Sequence, residues 1–289
     1  MKRIAESELI LNDDGSIFHL HLKPEQLADK VILVGDPGRV KLAAAYFDSI
    51  ECEVESREFR TSTGMYKGKR ISVVSTGIGT DNIDIVMNEL DALVNVDLQT
   101  RLPKAEHKSL DIVRVGTSGS LQADIPIDAF LLSEKSIGFD GLLNFYAKRN
   151  EVSDIAFEEA FTTFVGWNEL LTKPYVVDAS AQLVERIHSD KTIKGVTISA
   201  PGFYGPQGRI IRLNTVDNQL NDKIAAFRYG GYKVTNYEME SSAIAGLSLM
   251  LGHQATTVCA IIANRPNGTS SPDYKKTIVE LLQYVLDRI

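Results

Sequence analysis

Val31-Ile-Leu-Val-Gly-Asp-Pro-Gly38 sets four consecutive apolar residues against a glycine- and proline-bearing turn, which reads as a buried strand running into a turn. Arg39 to Phe47 then has helical character. The same phrase recurs along the chain. Arg70-Ile-Ser-Val-Val-Ser75 stops at Gly77 and Gly79. From Asn82 to Val96, apolar residues return at Ile83, Val86, Leu90, Leu93 and Val94, the 3.6-residue period of an amphipathic helix. Further strands are expected at Asp111 to Val115, Ala129 to Leu132, Tyr175 to Val177, Ile193 to Ile198 and Ala255 to Ile262. A buried helix is expected from Glu238 to Leu251 with a glycine stop at Gly252, and a terminal amphipathic helix from Asp273 to Ile289. Strands interleaved with helices over the whole length predict an α/β fold around a largely parallel or mixed sheet. With no internal repeat and no low-complexity linker, a single domain over 1–289 is expected. The polar stretch Thr100 to Ser109, with Pro103, reads as a surface excursion.

The bulk properties narrow the function classes. A chain of 289 residues with 44% hydrophobic and 24% charged residues can bury a large core. No apolar run reaches the roughly 18 residues of a membrane span, and no signal-peptide core opens the chain, so a cytoplasmic protein without membrane partners is expected. A net charge of −7 argues against nucleic acid, and it requires any bound anion to be held by particular arginines. Cys52 and Cys259 are too far apart in sequence to suggest a disulfide framework or metal pair. The five histidines show no metal-ligand spacing, so no metal site is expected.

Gly202-Phe-Tyr-Gly-Pro-Gln-Gly-Arg209 is a loop by its glycines and proline, yet it carries an aromatic face, an amide and a guanidinium. An amide presents a donor beside an acceptor, and a guanidinium presents donors only. Together they suit a flat heterocycle with adjacent carbonyl and N–H groups, such as the edge of uracil. Glu238-Met-Glu240 places two carboxylates around a methionine, a pattern fit for sugar hydroxyls. Glu240 is expensive to bury without a partner, whereas Glu238 also reads as a carboxylate at a helix N-terminus. Three turns follow predicted strands: Gly35-Asp-Pro-Gly-Arg39, Thr76-Gly-Ile-Gly79 and Arg114-Val-Gly-Thr-Ser-Gly119. Each alone is ordinary turn closure. Together, with Arg39, Arg114 and the Thr117 hydroxyl, they suit a phosphate. The dinucleotide fingerprint fails at Asn82, and no Walker loop is present. Taken singly, Arg57 before a predicted hairpin reads as a solvated charge, and His19 in Ile17-Phe-His-Leu-His-Leu22 as a polar residue on an edge strand.

In this order, Phe18 to Leu22, Gly35 to Arg39, Arg57-Glu-Phe59, Ser75 to Gly79, Arg114 to Thr117, Phe203 to Arg209, Glu238 to Glu240 and Asn264-Arg265 resemble the nucleoside phosphorylase-I family, and within it the uridine phosphorylases. The resemblance covers nearly the whole chain. It implies a three-layer α/β/α, phosphorylase/hydrolase-like fold with a mixed, partly barrel-like sheet. It implies that Gly35, Arg39, Arg114 and Thr117 bind phosphate, with Arg57 reaching in from a neighbouring subunit. Met239 and Glu240 would hold the ribose with Glu238 adjacent, and a neighbour's His19 would approach the 5′ end of the sugar. Phe203 would stack on the base while Gln207 and Arg209 read its edge.

The implied reaction is reversible phosphorolysis of uridine to uracil and ribose 1-phosphate, with inorganic phosphate as co-substrate and no cofactor. Arg114, Arg209 and Glu240 would carry the chemistry. Purine-cleaving relatives place an aspartate where this chain has Arg265, which favours a pyrimidine. A nucleosidase, a purine nucleoside phosphorylase and a catalytically silent nucleoside-binding protein are the rivals. A homodimer is the implied minimum, with a trimer of dimers above it. The Thr80-Asp-Asn82 run differs from that of bacterial members with an interfacial monovalent cation, so the resemblance does not carry that ion over to this chain.

Overall fold

The computed structural model describes residues 2–289. Strand β1 (Lys30–Val34) delivers the chain into helix α1 (Pro37–Ala44). Asp36 caps that helix by accepting the Gly38 N–H at 2.7 Å, and Pro37 opens it where no donor is needed. Strands β2 (Ser49–Ser56), β3 (Phe59–Tyr66) and β4 (Lys69–Ser75) form an antiparallel meander, and α2 (Thr80–Asn95) follows. Strand β5 (Val96–Asp97) forms a two-residue ladder with β6 (Leu102–Pro103), which lies in the predicted excursion, and the excursion is exposed through Ser109. Next come β7 (Asp111–Ser120), β8 (Phe130–Gly138), α3 (Arg149–Val152), α4 (Ile155–Val165), β9 (Tyr175–Asp178) and α5 (Ala181–Ile187). The chain ends with β10 (Thr192–Ser199), α6 (Leu220–Ala226), β11 (Arg228–Tyr229), β12 (Tyr232–Glu238), α7 (Ser241–Leu251), β13 (Gln254–Asn264), β14 (Thr269–Ser270) and α8 (Tyr274–Arg288).

The main sheet runs β11-β12-β10-β8-β13-β7-β1-β4-β3-β2. An additional antiparallel pairing, Asn236 opposite Ser120 and Tyr237 opposite Gly119, joins β12 to β7. Strands β12, β10, β8, β13 and β7 therefore close on themselves, and β1 to β4 extend from this ring as an open wing. The sheet is mixed: β1 pairs parallel with β4 and β7, whereas β13 pairs parallel with β7 and antiparallel with β8. Helices cover both faces, as the α/β/α expectation requires. Leu90 and Leu93 of α2 share one core with Ile244 and Leu247 of α7. Val40, Leu183 and Leu282, from α1, α5 and α8, share another.

Two local readings change. The alternation Ile17-Phe-His-Leu-His-Leu22 is a turn, not a strand. The Ile17 N–H donates to the Leu22 carbonyl at 2.9 Å, the His21 N–H to the Ile17 carbonyl at 3.0 Å, and His21 takes φ +55°. Ile17, Leu20 and Leu22 are all buried by that turn, so the apolar pattern records burial without extension. Arg57 does not precede the β2–β3 hairpin but forms its tip, with φ +54° in the left-handed region.

Candidate active site

Turns after β1 and β4, the distal half of β7, the end of β12 and the loop after β10 enclose a cavity of about 800 Å³. Its walls include Gly35, Arg39, Arg114, Thr117, Phe203, Gln207, Arg209, Glu238, Met239 and Glu240. Ten of the twelve site residues named from sequence thus meet in one space, although up to 205 positions separate them (240 − 35).

At one end lie two guanidinium groups. Arg39 stands in the first turn of α1. Burial lowers its pKa from the ordinary arginine value, and the nearby Arg114 charge lowers it further. Among the described residues no carboxylate or carbonyl hydrogen-bonds its side chain. Arg114 is 5% exposed and is held by two carboxylates: its Nη1 lies 3.1 Å from Glu238 Oε2, and its Nη2 bonds Glu240 Oε2. Burial works against this charge, but Glu240 and Glu238 more than compensate and set it above the ordinary value. The guanidinium passes over Gly116, where a methyl group would meet Arg114 Nη1 and come within 3.0 Å of Cys259 Sγ. Burial pushes the Cys259 thiol up to about 12, consistent with an inert small side chain.

Glu240 is the N-cap of α7, and its Oε1 accepts the Gly79 N–H at 2.8 Å. Burial pushes its pKa up to about 7, with Glu238 adding to the rise and Arg114 opposing it. Glu238 ends β12 and accepts the N–H groups of Glu240 and Ser241 at 2.9 Å, so it also serves the start of α7. The predicted helix at Glu238 therefore begins three residues later, because these residues cap it.

The base-reading loop contains one 3-10 turn, Gly205–Gln207, ended by Gly208 at φ +71°. Gln207 is 2% exposed, and its Oε1 accepts from Arg209 Nη1 at 2.5 Å. Arg209 also donates to the Phe203 carbonyl at 2.5 Å and lies 3.9 Å from the Phe203 ring centroid. Arg265 donates to the Gln207 carbonyl at 2.6 Å, tying the loop to the end of β13. Asn264 is spent on the carbonyls of Gln122 and Ile125, at 3.0 and 2.7 Å.

His19 and Arg57 lie outside the cavity walls. They meet each other instead, through Phe18. The Arg57 guanidinium is 5.7 Å from the Phe18 ring and the His19 ring 4.7 Å from it, while His19 Nδ1 lies 2.6 Å from Glu89 Oε1. Sequence reasoning did not name Tyr237, Ile262, Ser270 or Tyr274, which also line the cavity. Ile262 sits at a register shift between Ile261 and Ala263, a bulge that leaves no periodic signal. The histidine spacing also concealed a cluster: donor atoms of Asp91, His107 and His253 lie within 4.8 Å of one another. There the Leu110 N–H donates to His253 Nδ1 at 3.2 Å, and His253 Nε2 lies 3.2 Å from Asp91 Oδ1.

The family model for the phosphorylase superfamily matches residues 29–285, and the chain belongs to that superfamily as a pentosyltransferase-type enzyme of the nucleoside phosphorylase kind. It is 29% identical to a uridine phosphorylase of Thermococcus kodakarensis, over 92% of this chain and 83% of that one. It is 24% identical to a DeoD-type purine nucleoside phosphorylase of Bacillus subtilis, over 94% and 98%. The crystal structure of a Trypanosoma brucei nucleoside phosphorylase that shows uridine phosphorylase activity superposes with a TM-score of 0.87. That chain is 29% identical, and the match covers 97% of this chain and all of that one.

Proposed function

We propose that the chain catalyses the reversible phosphorolysis of uridine to uracil and ribose 1-phosphate, in the cytoplasm and in pyrimidine salvage. The observation that carries this reading is one cavity holding an unpaired Arg39 beside Arg114 and, on its other wall, the Gln207–Arg209 pair. Phosphate is the co-substrate, taken by Arg39, Arg114, Thr117 and the Gly35 turn. Glu240 and Met239 hold the ribose. Attack on C1′ by a phosphate already in place is effectively intramolecular, which removes several kcal/mol of barrier. Charge then passes through an oxocarbenium-like sugar to the leaving base. Gln207 and Arg209 stabilise the anion that develops there. Arg265 occupies the place of the purine-type acid, so the base leaves as a stabilised anion. Arg57 and His19, clustered with Phe18 outside the cavity, complete a neighbouring subunit's site, which makes a homodimer the minimum unit and a trimer of dimers compatible with it.

Assaying a panel of nucleosides with and without inorganic phosphate tests base and acceptor together. Uracil released from uridine only with phosphate is the expected result. Faster turnover of inosine or adenosine would replace the reading with purine phosphorolysis. Release in the absence of phosphate would indicate a nucleosidase, and binding without turnover a silent protein.

A further inference from the structure

Glu238 and Glu240 flank Met239 and are equally buried, at 3% exposure, yet their surroundings differ. The Glu238 carboxylate has no acceptor capacity left. Its Oε1 accepts from Ser199 Oγ at 2.6 Å and Ser241 Oγ at 2.7 Å, and its Oε2 from the Glu240 and Ser241 N–H groups at 2.9 Å. Arg114 Nη1 adds a charged contact at 3.1 Å. A carboxylate offers about four lone-pair sites. Glu240, in contrast, receives the Gly79 N–H and Arg114 Nη2, which leaves lone pairs for two hydroxyls.

Behind Glu238 the network continues away from the cavity. The Ser242 N–H donates to Ser199 Oγ at 2.9 Å, and Ser242 Oγ bonds Asp140 at 3.1 Å and the Tyr175 hydroxyl at 2.9 Å. Glu238 is thus anchored from behind, and its one cavity-side partner is an arginine. Arg114 Nε is buried without a partner.

Resting on the phosphorolysis reading, we propose that Glu238 is a positioning residue and not a sugar ligand: it fixes Arg114 so that Glu240 can leave that arginine for the ribose hydroxyls. Glu238 is the permanent partner and Glu240 the exchangeable one. When Glu240 turns to the sugar, Arg114 stays in place on Nη1 and its Nη2 donors are freed for the phosphate. Sugar and phosphate binding are coupled through one guanidinium. Without Glu238, Arg114 would follow Glu240, and the phosphate end would lose its aim.

Steady-state kinetics of the assembled full-length protein test this, with uridine and deoxyuridine as nucleosides and inorganic phosphate varied separately. Glu238→Gln keeps size and one carbonyl but removes the charge facing Arg114. The expected result is a phosphate KM raised about tenfold and kcat lowered at least tenfold, with nucleoside KM within about twofold, the scale of one charged hydrogen bond. The penalty should be equal for uridine and deoxyuridine. Ser199→Ala, which loosens the anchor only, should show the same pattern at about threefold, and it decides the matter if Glu238→Gln does not fold. A raised nucleoside KM at constant phosphate KM, or a smaller penalty for deoxyuridine, would show a direct sugar contact and overturn the proposal. So would a fall in kcat that merely tracks the fraction of folded protein with both KM values unchanged. A wild-type protein inactive on both nucleosides, with or without phosphate, would instead remove the phosphorolysis reading on which the proposal rests.

Discussion

At the proposed phosphate and sugar end, Arg114, Glu238 and Glu240 are each at most 5% exposed and bond one another across β7, β12 and the start of α7. At the proposed base end, Phe203 is 51% exposed, and Arg209 bonds within its own loop, to Gln207 and the Phe203 carbonyl. In the first region the groups that would bind substrate also hold the barrel and cap a helix. In the second they hold little beyond themselves. Chemistry fixed in strand ends and recognition carried on a loop is a division that lets one scaffold serve different bases. Relatives of this chain bear the names of both uridine and purine nucleoside phosphorylases.

The contrast is broken or sharpened most strongly at Arg114. Arg114→Ala leaves two carboxylates buried side by side without their cation, a loss of about 3–5 kcal/mol. Denaturant unfolding should show it, together with a fall in phosphorolysis of at least about a thousandfold. A variant with undiminished stability would mean that this end is no more structural than the other. Arg209→Ala is the matching test on the loop. Its removal takes the donor from Gln207 Oε1 but nothing from the barrel, so stability should fall by only about 1 kcal/mol, the scale of one hydrogen bond. Uridine turnover should drop at least tenfold while phosphate affinity stays the same. Unchanged uridine kinetics would end the base-reading role of Arg209.

The same division explains what the sequence made legible. Turn glycines after apolar runs marked Gly35 and Gly77, because strand ends announce themselves locally by composition. Gln207 and Arg209 were legible because a loop that carries an amide and a guanidinium has no structural need of them. The Arg114 clamp was only half legible. Its partners come from a strand end and the helix cap after it, more than a hundred residues downstream, and nothing local says that Glu238 spends its oxygens on Ser199 and the start of α7. Arg57 and His19 became candidates only through the family resemblance, since each sits on a separate turn and they meet through Phe18. The run Ile17 to Leu22 imitated a strand because Leu20 and Leu22 flank His21 in alternation, whereas the turn buries Ile17 as well, on the other parity.

The pH dependence is the most diagnostic test for the buried end, because stability and activity should move in opposite directions with pH. Burial pushes Glu240 up to about 7, from an ordinary 4.5. Native protein therefore carries an extra proton at this site between about pH 4.5 and 7, and this group stabilises the fold as pH falls through that window. The slope approaches about 1.4 kcal/mol per pH unit in the middle of the window. Accepting sugar hydroxyls needs the carboxylate, so nucleoside kcat/KM should decline about tenfold per unit below pH 7. Unfolding of the ligand-free protein, wild type against Glu240→Gln, isolates the group, since the buried Asp140, also raised by burial, remains in both. Wild type should gain stability relative to the variant from pH 7.5 to 5. A difference that is flat there, and falls only below about pH 4.5, would mean that Arg114 keeps Glu240 ionised throughout. The clamp would then be a fixed ion pair, and the freedom of Glu240 to leave it for a sugar would have to come from the ligand alone.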